Sequence, residues 1–208
     1  MEMRESRLDH AARFGGITFV VLGVAGFATA GDAGLDDGAK IGRYFADHGG
    51  RILIGFHLAA IGLLAFVLWS WWIMKALQRT SDSRDNLGVG VFVAGAMTAA
   101  VEFGVIALAM TLATISNQPV DPLLARALAN AYQEFSYVDY FPLALFFLML
   151  GIGVLQTRIV GAWVGWFAIV LAPLCLITAA PSLGLDMSLG LFMLVAVVVI
   201  NVAFIRSK

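Results

Sequence analysis

"GAMTAAVEFGVIALAMTLATI" (residues 95–115) decides the fold, because it is an almost unbroken apolar run holding a single charge, Glu102. A helix needs about 20 predominantly apolar residues to cross the hydrocarbon core of a bilayer. This run has that length, and it lacks both the polar stripe of a surface helix and the alternation of a half-buried strand. Five further blocks share its character, which places the expected spans at 15–31, 52–74, 88–114, 141–157, 160–180 and 187–205. The chain of 208 residues is 61% hydrophobic and 13% charged, with a mean hydropathy of +0.90. These values exclude an ordinary soluble domain, and six helices leave no room for one. The expected fold is all-α: a single transmembrane helical domain over 1–208, with short amphipathic interfacial helices in its two long external loops.

Orientation follows from where the basic residues fall. Arg4, Arg7, Arg13, Lys75, Arg79, Arg84, Arg158, Arg206 and Lys208 lie on one side of a six-span arrangement; Lys40, Arg43, Arg51 and Arg126 lie on the other. Because Lys and Arg concentrate in cytoplasmic segments, this bias puts both termini in the cytoplasm. The opening segment also reads as a charged region, an apolar region and an Ala28-Thr29-Ala30 cleavage site. Gly16, Gly23 and Gly26 give it a small-residue face suited to helix packing, which favours a retained first span.

The external segment "GDAGLDDGAKIGRYFADHGGR" (31–51) spaces Ile41, Tyr44 and Phe45 on one helical face and is expected to form a short surface helix. In the second, 116–142, Asp121 precedes Pro122 as an N-cap before a first-turn proline, and Leu124, Leu128, Ala131 and Phe135 follow at helical intervals. An amphipathic helix lying at the interface, or a lid over a cavity, is the expectation. Trp69, Trp71, Trp72, Trp163 and Trp166 are all expected at the cytoplasmic headgroup level, which suits indole rings. Pro173 is expected to kink the fifth span.

Three stretches, "RFGGITFVVLGVAGFATAG" (13–31), "IGRYFADHGGRILIGFHLAAIGLLAFVLWSWWIMKAL" (41–77) and "VLQTRIVGAWVGWFAIVLA" (154–172), resemble an uncharacterised family of small bacterial, largely actinobacterial, six-helix membrane proteins. Members often carry a proline at the turn where this chain has "VGAW". The resemblance implies a multi-pass protein of the bacterial inner membrane and transfers no activity.

Chemistry rests on the ionisable residues within the spans. A charge at the bilayer centre costs roughly 2.5–3.5 kcal/mol on insertion scales, so such a residue faces a protein interior with a partner. Glu102 shares its face with Gly95, Thr98, Ala99, Ala109 and Ala113, whose small size marks a packed surface. His57, on a face with Leu53, Ile54, Ala60, Ile61 and Leu64, is the candidate partner, and an outer-end acid is the other. Glu134, Tyr137, Asp139, Tyr140 and Asp186 stand near the outer ends of other spans and would line an outward-opening polar pocket with Thr98, His57 and Glu102. The plainer reading has a protonated Glu102 bonded to Thr98 or a backbone carbonyl, and a neutral His57 fixing helix register.

The pocket would bind or move a small molecule, an ion or a lipid. The rivals are an accessory subunit of a larger membrane complex or homo-oligomer, and an enzyme using His57 and Glu102 as acid and base. No nucleic-acid footprint is present, and the one cysteine, Cys175, excludes an intrachain disulfide. No metal or other cofactor is expected: His48 and His57 lie on opposite sides of a continuous helix, which rules out haem ligation between them.

Overall fold

The computed structural model describes residues 7–31, 38–79, 86–115, 121–179 and 186–207. They form eight helices in chain order: α1 (Arg7–Ala12), α2 (Gly15–Ala30), α3 (Gly38–Gln78), α4 (Leu87–Ile115), α5 (Pro122–Val138), α6 (Tyr140–Thr157), α7 (Ala162–Thr178) and α8 (Asp186–Arg206). No strand occurs among the described residues. Three stretches of helix are long and apolar enough to cross a membrane: Arg43–Gln78, Leu87–Ile115 and Leu123–Thr157. Gly15–Ala30, Ala162–Thr178 and Phe192–Arg206 are shorter apolar helices.

Two elements expected to be external differ from expectation for one reason, namely that helix propagates wherever nothing stops it. The anticipated surface helix around Tyr44 and Phe45 is instead the start of α3, whose 41 residues run unbroken and reach about 60 Å. That is roughly twice the hydrocarbon thickness, so α3 extends well past any bilayer it crosses. The N-terminus of α5 forms as its sequence indicates, with the Asp121 carboxylate accepting from Leu123 N–H at 2.8 Å and Pro122 in the first turn. Yet α5 packs along α4 and α3 and passes into α6 through a single residue, Asp139, whose backbone is itself helical (φ −60°, ψ −30°). Its inward face is Ala125 and Ala129, with Leu128 and Tyr132 beside them, while Leu124 and Phe135 point outward.

Glycine sets how closely the helices approach. A Cβ on Gly26 would lie 2.5 Å from the Gly55 carbonyl oxygen, and one on Gly55 would lie 2.5 Å from that of Gly26, so α2 and α3 touch backbone to backbone. Gly151 and Gly165 do the same for α6 and α7, where a Cβ on the first would meet the carbonyl of the second at 2.7 Å. Close approach through small residues is how helices associate where lipid removes the hydrophobic driving force.

Two apolar clusters result. One joins α3, α4, α6, α7 and α8 around Phe66, Trp69, Phe146, Phe147, Leu150 and Ile200. The other joins α2, α3, α4 and α5 around Phe45, Ile52, Phe56, Ile106, Leu112 and Ala129. Trp69 and Trp72 are buried in the first, whereas Trp163 and Trp166 are 56% and 61% exposed. At that end of the bundle Asp9 on α1 pairs with Lys75 on α3 at 2.7 Å, and the Lys75 ammonium lies 4.3 Å from the centre of the Trp71 ring.

Candidate functional site

The packed face read on α4 is present as such: Gly95, Thr98, Ala99, Ala109 and Ala113 are all buried. Glu102 stands on it halfway along the helix and keeps some accessible surface, while its carboxyl lies deep among neighbouring atoms. The two apolar clusters meet at this level, Ala94 being the last α4 residue of one and Phe103 the first to pack on the other.

The partner is Asp139. Because α5 folds back antiparallel along α4, the residue joining α5 to α6 arrives at the height of Glu102, and the two side chains are within hydrogen-bonding reach. Asp139 is 6% exposed, and its Oδ1 is buried with no hydrogen-bond partner. Two carboxylates about 4 Å apart repel by about 4 kcal/mol in protein surroundings. The pair therefore cannot stand with both groups charged and nothing between them. The Cys175 thiol on α7 lies within electrostatic reach of Asp139 and contacts the Met193 thioether of α8 at 3.6 Å.

The remaining residues anticipated for the site divide. Thr98 is buried one turn before Glu102, but its hydroxyl donates to the Ala94 carbonyl at 3.1 Å and not to the carboxyl. Tyr140 follows Asp139 and packs against the first cluster. The Tyr137 hydroxyl accepts from the Gln133 amide at 3.2 Å, and Glu134 is exposed. The side chain of Asp186 lies outside the described residues.

His57 is not part of the site. The face it shares with Ile54, Ile61 and Leu64 is a real face, but it is the outward one, with those three residues 59%, 54% and 56% exposed. His57 is exposed with them, and its ring Nδ1 is 2.6 Å from the Leu53 carbonyl of its own helix. This geometry removes the proposed His57–Glu102 pair and the acid–base chemistry built on it. A helical periodicity identifies which residues share a side, and only neighbouring helices decide which side is inward.

Asn201, which sequence reasoning passed over, is another deeply placed polar group. It is fully buried on α8; its Oδ1 accepts from Ile17 N–H at 3.0 Å, and its Nδ2 donates to the Arg13 carbonyl at 2.8 Å. The signal was the one that marks Glu102, a lone polar residue in an apolar run, here "VVVINVAF". No group of three or more metal-ligating side chains occurs among the described residues. Comparison with protein-family models, curated proteins and solved structures returns no match.

Proposed function

We propose that this chain is a six-span bacterial inner-membrane protein with both termini cytoplasmic, and that its Glu102–Asp139 pair binds, and in doing so moves, a proton or small cation. The observation that carries this reading is the apposition of two carboxyls, with Asp139 Oδ1 buried and met by no N–H or hydroxyl donor among the described residues. As structure alone such a pair is costly, since an amide or an apolar contact would hold α4 to α6 without a buried charge. A small molecule bearing a positive group is the wider ligand class. The shorter apolar helices α2, α7 and α8, of 16, 17 and 21 residues, are the segments proposed to complete the six spans.

The test uses liposomes containing the protein and a trapped pH dye, under imposed H⁺, Li⁺, Na⁺ or K⁺ gradients. Wild type is expected to dissipate at least one gradient, and Glu102→Gln and Asp139→Asn to abolish this while keeping the folded elution profile. Wild type and the double variant behaving alike under all four gradients would defeat the reading. Orientation is tested with Asp82→Cys and Asp36→Cys in a Cys175→Ser background. An impermeant reagent applied to intact cells should label position 36 and spare position 82.

A second reading, as a subunit of a larger assembly, is favoured by His57, an imidazole displayed on an apolar face halfway along α3. A neighbouring chain would shield it from lipid. Disulfide cross-linking of His57→Cys in membranes tests this, and absence of any cross-linked species counts against it.

A further inference from the structure

A cavity of about 700 Å³ opens at the end of the bundle opposite α5, between the α6–α7 turn and the end of α8, and its lining includes Leu155, Arg158, Val160, Gly161, Trp166 and Ser207. Arg158 supplies the charge in that lining. Arg158 is exposed and caps α6 in the left-handed conformation (φ 51°, ψ 28°), the one non-glycine residue with positive φ among those described. Glycine or asparagine usually takes this position, because a side chain there meets the following carbonyl at a cost of roughly 1–2 kcal/mol. The attraction of its cation to the C-terminal end of α6, about 0.3–1 kcal/mol, offsets only part of that cost. Arg206 in the last turn of α8 is exposed beside Ser207, and no carboxylate pairs with either arginine among the described residues.

The groove has an aromatic border at the same level. Trp166 lines it and Trp163 stands next to it, both more than half exposed. A Cβ on Gly161 would lie 2.9 Å from the Trp163 indole Cδ1 and 3.0 Å from its Nε1, so the indole N–H end sits at the rim. Leu155, Ile159 and Val160 supply the apolar part of the lining. Arginine, indoles and hydrocarbon are the groups that meet a phospholipid along its length from headgroup to acyl chain.

We infer that this groove is a binding site for the headgroup of an anionic phospholipid of the cytoplasmic leaflet, held by Arg158 and Arg206. The inference rests on the membrane placement proposed above and is independent of the carboxyl pair at the other level. Charge complementarity selects this occupant: two arginines without a carboxylate partner among the described residues suit a phosphate that carries net charge, and a zwitterionic lipid brings its own ammonium.

Native mass spectrometry of the protein released from nanodiscs of phosphatidylglycerol and phosphatidylcholine tests it. Wild type is expected to retain phosphatidylglycerol preferentially. Arg158→Asn, which tolerates the left-handed backbone, and Arg206→Gln should each lower that retention about fivefold, the effect of one basic residue near an anionic surface. Arg126→Gln, on exposed α5 surface, should leave it unchanged, and melting in phosphatidylcholine should show all three variants folded. Equal retention of the two lipids by wild type overturns the inference, as does undiminished phosphatidylglycerol in Arg158→Asn combined with Arg206→Gln. A protein mass in place of lipid also overturns it. Because the gradient assay reads the carboxyl pair, failure here and failure there are separable.

Discussion

Replacing Asn201 by alanine should destabilise the bundle by about 2 kcal/mol, a figure that follows from the two bonds it makes. The α2 helix starts at Gly15 after Phe14, a residue with no capping side chain. Its third N–H, on Ile17, is instead met at 3.0 Å by Asn201 Oδ1 from α8, where a capping serine or aspartate would ordinarily act. Loss of such a cap costs about 1 kcal/mol. The bond from Asn201 Nδ2 to the Arg13 carbonyl, 2.8 Å long, adds about 1 kcal/mol more. Interhelical hydrogen bonds in membranes average nearer 0.6 kcal/mol, which sets a floor of about 1 kcal/mol for the pair. Unfolding in mixed micelles with rising SDS measures the difference, with Val195→Ala on the exposed face of the same helix as reference. Asn201→Leu, close in volume, should lose as much as Asn201→Ala, since the bonds and not the space are at stake. A loss below about 0.5 kcal/mol, or one no larger than that of Val195→Ala, would refute the argument.

Other substitutions probe packing and exposure. Gly55→Ala forces a methyl against the Gly26 carbonyl and should cost about 1–3 kcal/mol in the same unfolding assay, whereas Gly50→Ala meets nothing within 4 Å and should stabilise by about 0.5–1 kcal/mol. His57→Leu should change stability by less than about 0.5 kcal/mol, because the ring bonds only to its own helix and faces outward. Asp9→Asn should weaken the tie of α1 to Lys75 and speed proteolytic cleavage in the first turns of the chain, while the melting midpoint of the bundle moves little.

The residues that hold the helices together and the residues proposed to act are spatially distinct. Glycine contacts fasten α2 to α3 and α6 to α7, and Asn201 fastens α8 to α2. Glu102 and Asp139 lie between the two apolar clusters, joined by no glycine contact of their own. Substitutions at the pair should therefore separate function from folding more cleanly than substitutions at the fasteners.

What the sequence determined by itself is what depends on composition and local spacing. The apolar blocks specify helices, Asp121 before Pro122 specifies where α5 begins, and a lone carboxylate among small residues specifies that Glu102 turns inward. These are one-dimensional facts, because backbone hydrogen bonding and lipid exclusion act on any segment of that composition. Tertiary structure decided everything that required knowing which helix faces which. His57 shares a face with its neighbours as their spacing says, but α3 presents that face outward. Trp69 resembles an interfacial tryptophan and is enclosed by Phe66 and Phe146. Asp139 lies 37 positions beyond Glu102 (139 − 102) and meets it only because α5 returns along α4. The cap of α2 comes from a residue 184 positions away. Periodicity fixes an angle around a helix axis, and the rotation of that helix against its neighbours is set by glycine contacts and polar pairs that form only when the bundle assembles.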